Sequence, residues 1–546
     1  MNRLSHDALL GRLERLTAVG VSLSAEKNLP RLLENILLAA KDITRADGGT
    51  LYRVRDRQLH FEILRTDTLN LAMGGVSGAP IPFAPLPLYD EQGAPNESLV
   101  AAYAVLRDVT VNIADAYSAQ GFDFSGTRRF DRQTGYRSQS FLTIPMKDHE
   151  NAVIGVLQLI NARHPLSGEI IAFAEEDQRF AEALTSQAAI ALTNRGLINQ
   201  LETLFESFIK LINVAIDEKS PYTGGHCERV PVLTMMLAEA AERCETGPLE
   251  SFHLTAAERY ELEIAGLLHD CGKIVTPVHV VDKATKLDGL TDRIHEIDTR
   301  FAVLRRDAEI QQLRRRCTAL ENGEPPPDDA EYRACLRQLD DDRALLRRSN
   351  NGGETLSAAR QRRIRAIARR RWVNSDGVDR PLLTAEETAL LCIPKGTLSP
   401  AERDIINDHV VATIHMLEAL PWPKHLRRVP EYAGGHHERM DGKGYPRGLS
   451  GAQLAAPTRI LAIADIFEAL TAKDRPYKDG KPLSDALAIL GRLKQERHID
   501  ADLFDVFIRD RVYLRYAERF LDADQIDAVD PAAIPGYAPA RAAAKK

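Results

Sequence analysis

Hydrophobic residues in the first 195 positions follow two different spacings. They recur at helical spacing from Leu32 to Ile43, whereas residues 50–54 and 59–64 have the composition and alternation of strands. Two further apolar strands are indicated at 140–146 and 153–160, with the turn-prone residues 148–151 between them. We therefore predict an N-terminal helix over residues 1–25, followed by an α/β domain with an antiparallel sheet over residues 26–195.

The last helix of this domain is predicted to continue past residue 194 as a connecting helix over residues 196–218. Its apolar residues follow alternating four- and three-residue steps, which is the a/d spacing of a short parallel coiled coil. These residues are Leu197, Leu201, Leu204, Phe208, Leu211 and Ala215. The stripe either joins two chains into a homodimer or packs on its own domain, and Gly196 weakens the continuity of the helix.

The second half of the chain has a helical pattern almost throughout, with no convincing alternating strand. A charged segment at residues 289–394 interrupts it, and the breaker residues 322–327 divide that segment into a helical hairpin. Its arginines either bind an anionic partner or form a solvated face beside the acidic residues 340–342, and we favour the solvated face. We predict an all-α domain over residues 219–288 and 395–528, and a disordered tail at 529–546.

Composition narrows the class of protein. A chain of 546 residues is too long for one core, and 44% apolar with 27% charged residues is typical of globular proteins. The net charge of -7 gives no sign of a nucleic-acid polymer as partner. The six cysteines form no CxxC pair, which indicates a reducing, cytoplasmic compartment. No apolar run reaches the roughly 18 residues of a membrane span.

Three predicted helices carry polar residues on apolar faces. His269 lies on the apolar face of a helix predicted over residues 261–271. A second helix begins at Ser399 with a capping box and a proline at its first position, and His409 shares one face of it with Ile406, Thr413 and Leu417. Asp465 lies in a nearly apolar helix at residues 459–471. Because an unpaired charge in such a site costs several kcal/mol, Asp465 must have a partner.

Five histidines and two carboxylates lie at element ends or on buried faces. Each one alone is more often a hydrogen-bonded core residue, but imidazole with carboxylate is the ligand set of Mn, Fe or Zn. Seven ligands suit two ions bridged by a carboxylate, an arrangement that holds a hydroxide and neutralises a phosphate. The candidates are His226, His269, Asp270, His409, His436, His437 and Asp465. We expect two divalent ions, Fe or Mn in preference to Zn.

Several motifs together resemble the HD-GYP branch of the HD phosphohydrolase superfamily. They are residues 226–230 (His-Cys-Glu-Arg-Val), 268–274 (Leu-His-Asp-Cys-Gly-Lys-Ile), 436–446 (His-His-Glu-Arg-Met-Asp-Gly-Lys-Gly-Tyr-Pro) and 475–478 (Arg-Pro-Tyr-Lys). The resemblance implies an enzyme that hydrolyses cyclic di-GMP to pGpG, and in some members on to GMP. Two alternatives stay open: a related enzyme acting on another cyclic dinucleotide or a nucleotide, and a non-enzymatic sensor or scaffold.

The resemblance also implies roles for individual residues. His226, His269, Asp270 and Asp465 would hold one metal, and Asp270 would bridge to a second metal held by His409, His436 and His437. Catalysis would fall to His269, Asp270 and Lys273, and substrate binding to Lys273, Arg475 and Lys478. The signature loop would lie at the surface, where diguanylate cyclase domains could dock, and comprises Asp441, Gly442, Gly444, Tyr445 and Pro446.

There are two departures from the family pattern. Tyr222 replaces a glutamate that binds a third metal in some members, which favours two ions here. The insertion at 289–394 stands where the family has a short connection, and its role as a lid, a dimer arm or a partner platform stays open.

The N-terminal domain resembles a GAF domain through residues 46–52, 130–138 and 155–161. Cyclic-nucleotide-binding GAF domains carry an Asn-Lys, Phe, Asp-Glu pattern, of which Asn161, Phe173 and Asp177 are present, while Ala162 and Gln178 replace the lysine and the glutamate. The ligand is therefore left open. The lack of cysteine before residue 227 excludes the usual covalent bilin attachment. We expect a sensor or dimerisation domain that biases the catalytic half through the connecting helix.

Overall fold

The computed structural model describes residues 2–219, 225–473 and 480–538. The chain divides into two compact units, Met1–Glu206 and Ser207–Lys546, and each has its own hydrophobic core. No helix among the described residues is long and apolar enough to cross a membrane.

The N-terminal unit is built on one antiparallel sheet, as the alternating pattern predicts. Along its main path the strands lie in the order β3-β2-β1-β7-β6-β5, while β4 pairs with β2 and β8 with β7. The strands are β1 (Ala46–Arg55), β2 (Gln58–Thr66), β3 (Leu71–Gly74), β4 (Leu86–Pro87), β5 (Val111–Ile113), β6 (Phe141–Lys147), β7 (Val153–Arg163) and β8 (Ile170–Ile171). Its helices are α1 (Asn2–Ala25), α2 (Leu29–Thr44), α3 (Val100–Arg107), α4 (Ser125–Thr134) and the first part of α5 (Glu175–Lys219).

Helix α2 shows how sequence and packing agree in this unit. Asn28 caps it by accepting a hydrogen bond from the amide of Arg31, and a proline occupies its first turn. Its apolar stripe, including Ile36 and Leu37, is fully buried in the same core as Leu51 and Leu157 of the sheet. The α/β fold class predicted for this half is confirmed.

The three residues of the cyclic-nucleotide pattern are all buried structural residues. Asn161 accepts a hydrogen bond from the amide of Gln139 at 2.7 Å and donates one to the carbonyl of Arg137 at 2.8 Å. Phe173 packs in the main core of the unit. Asp177 pairs with Arg45 at 3.1 Å and with Arg12 at 3.0 Å. Each of them therefore stabilises the fold directly, whether or not a ligand binds.

The N-terminal unit also contains a cavity of about 530 Å³. Aromatic rings dominate its lining, among them Tyr52, Phe61, Phe83 and Phe130, and the described lining residues include no lysine, arginine or histidine. A phosphate in this cavity would therefore lack a cationic partner from the lining. This environment counts against a cyclic nucleotide as the ligand of the domain.

Helix α5 is continuous over 45 residues and passes Gly196 without a break. The predicted seam residues from Leu197 to Ala215 are exposed along it, with Leu201 at 65% and Leu211 at 60%. A different stripe of the same helix, Ile209, Asn213 and Ile216, is buried. The seam is therefore not packed against its own chain in the described residues.

The C-terminal unit is helical, as predicted. Outside the insertion it consists of α6 (His226–Glu242), α7 (Ala256–Leu268), α8 (Val278–Val281), α13 (Pro400–Asn407), α14 (His409–Glu418), α15 (Val429–Gly434), α16 (Ala456–Thr471), α17 (Leu483–Gln495), α18 (Ala501–Arg509) and α19 (Val512–Phe520). The capping box at Ser399 and the proline at the start of α13 are both present. A second capping box, Thr255 with Glu258, starts α7 five residues before the predicted position.

The insertion contains more than the predicted hairpin of α9 (Ile294–Glu321) and α10 (Ala330–Asn350). It adds α11 (Ala358–Ala368), α12 (Ala385–Leu391) and a short antiparallel pair, β9 (Arg371–Val373) with β10 (Asp379–Pro381). The insertion, which was predicted as a helical hairpin, therefore also contains a short strand pair. Three-residue strands are too short to show an alternating pattern, and Asn374, which accepts from the amides of Asp376 and Val378, closes the turn between them.

Many arginines of the insertion are neutralised within it. Arg363 and Arg370 both pair with the buried Asp342, and Arg316 pairs with Asp329. Arg343 and Arg347 share Asp298 and lower its pKa to about 2, against the effect of burial. Burial alone would raise this pKa, so the two guanidinium groups outweigh it. These ion pairs favour a structural role for the charges over a site for an anionic partner.

The tail predicted to be disordered from residue 529 is ordered as far as residue 538. Residues Pro531–Ala533 form a 3-10 turn, and Ile534 is buried in the core of the C-terminal unit. Burying one isoleucine side chain stabilises the fold by about 1.5–3 kcal/mol. The alanine- and proline-rich composition of the tail gives no sign of this single buried contact. Residues 539–546 lie outside the described residues.

Candidate metal centre

The seven predicted metal ligands come from five places in the C-terminal unit and lie together. His226 begins α6 and His409 begins α14. His269 and Asp270 follow the end of α7, and His436 and His437 follow α15. Asp465 lies within α16. Helix α7 ends at Leu268, earlier than predicted, so that His269 and Asp270 stand at its C-terminal end.

Asp270 lies between two groups of histidines. Its Oδ2 atom is 3.1 Å from Nε2 of His226 and 3.3 Å from Nε2 of His269. Its Oδ1 atom is 3.1 Å from Nε2 of His409 and 3.9 Å from Nε2 of His436. One carboxylate therefore presents a different oxygen to each group, which is the geometry of a bridging ligand.

Each group could hold one ion. The ligand atoms of His226, His269 and Asp270 lie within 4.8 Å of one another, and so do those of His409, His436 and His437. Asp465 joins the first group, because its Oδ1 atom is 3.3 Å from Nε2 of His226. The described structure thus offers two adjacent sites that share Asp270.

Hydrogen bonds at the far side of the rings orient three histidines. The Nδ1–H groups of His269 and His436 donate to the carbonyls of Gly266 at 2.7 Å and Ala433 at 2.6 Å, and that of His409 donates to Ile406. The Nε2 atom of each ring is thereby directed towards Asp270. Such fixed tautomers are typical of histidines that bind metal.

Several buried acceptors in the centre have no hydrogen-bond partner in the described structure. They are Oδ1 of Asp270 and the Nε2 atoms of His409 and His436. Lone pairs that converge without a proton or a cation between them are costly in a buried site. A divalent ion removes this cost, so the residues present fit a metal.

The pKa values of His269, His436 and His437 shift in different directions. Burial holds the pKa of His436 well below its ordinary value and lowers that of His437 to about 4, so both are neutral and able to bind metal. Burial also lowers the pKa of His269, yet Asp270 and Asp465 outweigh it and raise the value to about 9. A metal ion in the first group would take the place of this proton.

Lys273 is the only predicted substrate-binding residue that falls within the described residues. Its Nζ atom donates to Oδ2 of Asp270 at 2.5 Å. Burial raises the pKa of Asp270, but Lys273 and the neighbouring histidines prevail and keep that pKa well below its ordinary value. Arg475, Lys478 and Tyr222 lie outside the described residues.

The signature loop is half-buried and contacts the centre directly. The ring of Tyr445 stacks on that of His437 with centroids 4.9 Å apart. Glu438 is buried and accepts hydrogen bonds from the amides of Arg447 at 2.7 Å and Leu449 at 2.9 Å. Gly444 is required where the loop returns, because a Cβ atom there would lie 2.5 Å from the Cα atom of Glu438.

The other loop residues shape the turn. Asp441 pairs with Arg439 at 3.0 Å and accepts from the amide of Lys443 at 3.1 Å. Gly442 has a φ of 73°, which a side chain would strain. Pro446 follows Tyr445 in the half-buried part of the loop. The loop therefore forms one wall of the centre, beyond the surface role that the sequence suggests.

Glu468 is a functional candidate that the sequence analysis did not include. It is buried, its Oε2 atom is 2.5 Å from Nδ1 of His226, and its Oε1 atom accepts from Arg229 at 2.7 Å. It lies three residues after Asp465 on α16, so both carboxylates share one helix face. A second carboxylate in an almost apolar helix was the signal that could have identified it.

We expect Glu468→Gln to weaken metal binding about tenfold, because a neutral amide polarises His226 less than a carboxylate does. The measurement is the Mn²⁺ content of the purified chain after dialysis against a graded chelator. Glu496→Gln, at an exposed position of the same unit, serves as the control. Equal metal retention in the two variants would contradict the role of Glu468.

Comparisons with known proteins agree with the division of the chain into an N-terminal and a C-terminal unit. The model of the GAF domain family matches residues 28–192, and that of an HD domain family matches residues 384–503. The HD match contains His409, His436, His437 and Asp465. His226, His269 and Asp270 lie upstream of it, on the other side of the insertion.

Curated relatives match short parts of the chain. The 3'3'-cGAMP-specific phosphodiesterase 1 of Vibrio cholerae is 48% identical over 81 residues, which are 15% of this chain and 19% of that protein. The cyclic di-GMP phosphodiesterase of Thermotoga maritima is 33% identical over 131 residues, or 22% of this chain and 35% of that protein. The chain thus spans well under half the length of either relative.

Solved structures match the N-terminal part. A GAF domain from a phosphoenolpyruvate-protein phosphotransferase of Coxiella burnetii covers 35% of this chain and 98% of its own, at 15% identity and a TM-score of 0.25. A GAF domain/HD domain protein from Geobacter sulfurreducens covers 32% of this chain and 98% of its own, at 14% identity and a TM-score of 0.23. The family matches, taken with the fold, show that the chain carries a GAF domain at its N-terminus and an HD domain towards its C-terminus.

Proposed function

We propose that the HD domain is a metal-dependent phosphodiesterase that hydrolyses cyclic di-GMP to pGpG. The observation that carries this proposal is Asp270, whose two oxygens face two groups of histidines at 3.1 Å. The names of the relatives from Vibrio cholerae and Thermotoga maritima support a cyclic dinucleotide as substrate. We expect two ions per chain, Fe or Mn in preference to Zn.

The residues divide the work of hydrolysis. Two bound divalent ions would supply a hydroxide and neutralise the phosphate under attack. Asp270 and the six other ligands would hold these ions, and the Nδ1–H bonds of His269 and His436 keep the rings from turning. Lys273 places an ammonium group beside Asp270, where it can contact a phosphate oxygen. Tyr445 and His437 form a stacked wall against which a base could lie.

The test is turnover by the full chain reconstituted separately with Mn²⁺ and Fe²⁺, with the products separated by chromatography. We expect cyclic di-GMP to be consumed and pGpG to accumulate, and a later fall in pGpG would show continued hydrolysis to GMP. Intact cyclic dinucleotides after incubation with metal-loaded protein, at the same level as with Asp270→Ala, would refute the proposal.

A second candidate substrate is 3'3'-cGAMP. The relative that is 48% identical over 81 residues carries this specificity in its name. Both substrates present the same phosphodiester to the same metal centre, so only the contacts to the bases separate them. Parallel assays with the two dinucleotides at equal concentration decide between them by the ratio of kcat/KM.

We further propose that the chain is a homodimer in which the GAF domain biases turnover through α5. The exposed apolar stripe from Leu197 to Ala215 supports pairing with a second copy, because a continuous exposed stripe at a/d spacing is typical of a coiled-coil interface. Docking of diguanylate cyclase domains at the signature loop stays a prediction, and so does a cytoplasmic location.

Inserting two residues after Gln200 should change turnover about fivefold or more without changing metal content. Two residues rotate the following helix by about 200°, which moves its seam to the opposite face. The measurement is turnover per bound metal. A seven-residue insertion at the same place restores the phase of the seam and is the matched control. Unchanged turnover in the two-residue variant would count against coupling.

A further inference from the structure

Lys219, the last residue of α5, contacts the segment that carries the catalytic residues. Its Nζ atom donates to the carbonyl oxygen of Lys273 at 3.3 Å and to that of Ile274. These carbonyls belong to the 3-10 turn Cys271–Val275, which follows Asp270 directly. The carbonyl of Lys273 accepts the Thr276 amide at 3.1 Å within the turn, and a lysine at that end gives the last carbonyls a further favourable donor. Lys219 therefore caps this turn from another element.

The capped turn is tied to both halves of the metal centre. The Lys273 amide donates to the carbonyl of Asp270 at 2.9 Å, and its ammonium group donates to Oδ2 of Asp270 at 2.5 Å. The amide of Gly272 donates to Oγ1 of Thr413 at 2.9 Å, on the helix that begins at His409. A displacement of the turn therefore moves Lys273 relative to Asp270 and the second group of ligands.

The end of α5 also contacts the segment before the first metal ligand. Asp217 accepts a hydrogen bond from the amide of Gly225 at 3.4 Å, and Gly225 precedes His226. Ile209, Asn213 and Ile216 bury one face of the helix just before this point. The last turns of α5 are thus anchored by burial, and polar contacts from its end reach two segments of the centre.

We propose that Lys219 is a positioning residue. Through it, a shift of α5 along its axis or a rotation about that axis changes the position of Lys273 in the active site. This inference rests on the proposed function, because it concerns regulation of the same centre. Lys219 binds no metal ligand itself and acts through the backbone of the 3-10 turn. Loss of its ammonium group leaves the seven ligands in place but frees the carbonyls of Lys273 and Ile274, so that the turn no longer holds Lys273 in position.

The first test compares Lys219→Met, Lys219→Arg and Lys210→Met in the full, Mn²⁺-loaded chain. Lys210 is exposed on the same helix and serves as the control. We expect Lys219→Met to lower kcat about tenfold, the worth of one charge-assisted hydrogen bond, with KM changed less than about twofold and metal content unchanged. Lys219→Arg should recover kcat to within about threefold of the native value. Loss of metal in proportion to activity would show a purely structural role and overturn the inference.

The second test combines Lys219→Met with the two-residue insertion after Gln200. If Lys219 transmits the setting of α5, the insertion changes turnover in the native background and leaves it unchanged in the Lys219→Met background. An equal change in both backgrounds would overturn the inference.

Amide hydrogen exchange supplies a readout that does not depend on activity. Lys219→Met should speed exchange of the Lys273 and Thr276 amides, which bond within the turn, and Lys210→Met should not. If the chain hydrolyses no cyclic dinucleotide, the proposed function fails while the exchange result still decides whether Lys219 holds the turn. Unchanged exchange at both amides would refute that role.

Discussion

Replacing Asp270 by alanine will remove bound metal and abolish turnover. The side chain is buried, and its two oxygens lie about equally close to His226 and to His409, at 3.1 Å. Without it the first group keeps only Asp465, and the second group keeps no carboxylate to balance the charge of an ion. We expect metal content to fall from about two ions per chain to below one, and turnover to fall at least about 10³-fold, equivalent to about 4 kcal/mol.

Elemental analysis and the cyclic di-GMP assay measure these two effects together. Asp485→Ala removes an exposed carboxylate from the same unit and should change neither quantity. An Asp270→Ala protein that retains both metal and turnover would show that Asp270 is not the bridge.

Gly272→Ala should damage the centre although it replaces no metal ligand. A Cβ atom at this position would lie 2.0 Å from the carbonyl oxygen of His409 and 2.5 Å from the amide nitrogen of Thr413. Both are backbone atoms that cannot rotate away, so the 3-10 turn and α14 must separate. We expect a loss of about 3 kcal/mol in stability and a fall in turnover of more than about 100-fold.

Thermal unfolding followed by circular dichroism, with turnover on the same samples, tests this prediction. Gly289→Ala is the matched control, because a Cβ atom there meets nothing within 4 Å. If the two variants unfold at the same temperature and have equal catalytic turnover, the close approach of the 3-10 turn to α14 is not needed for stability or activity.

The elements that the sequence predicts best are those fixed by local interactions. The strands around residues 50–64 and 140–160 follow from alternation, and α13 follows from the capping box at Ser399. The strands β9 and β10 were missed because three residues are too few to show an alternating pattern. The burial of Ile534 was missed because it depends on contacts with distant parts of the chain.

The sequence predicts which residues form the site, but it does not predict their geometry. Residue type and buried position indicate which side chains converge, and the seven candidates do lie together. Three contacts could not be predicted from the sequence. They are the approach of the two oxygens of Asp270 to different groups of histidines, the hydrogen bond from His226 to Glu468, and the contact of Lys219 with the 3-10 turn. Each requires the distance between segments that are far apart in sequence, which only the tertiary fold determines.

The position of Lys273 has a consequence for the order of events. Its ammonium group donates to Oδ2 of Asp270, the oxygen that also faces His226 and His269. A divalent ion bound at that oxygen would repel the ammonium group strongly in a buried site. Its arrival would therefore release Lys273 for a phosphate oxygen. Under the proposed function, metal would bind before the dinucleotide, and the metal-free chain would bind the dinucleotide weakly.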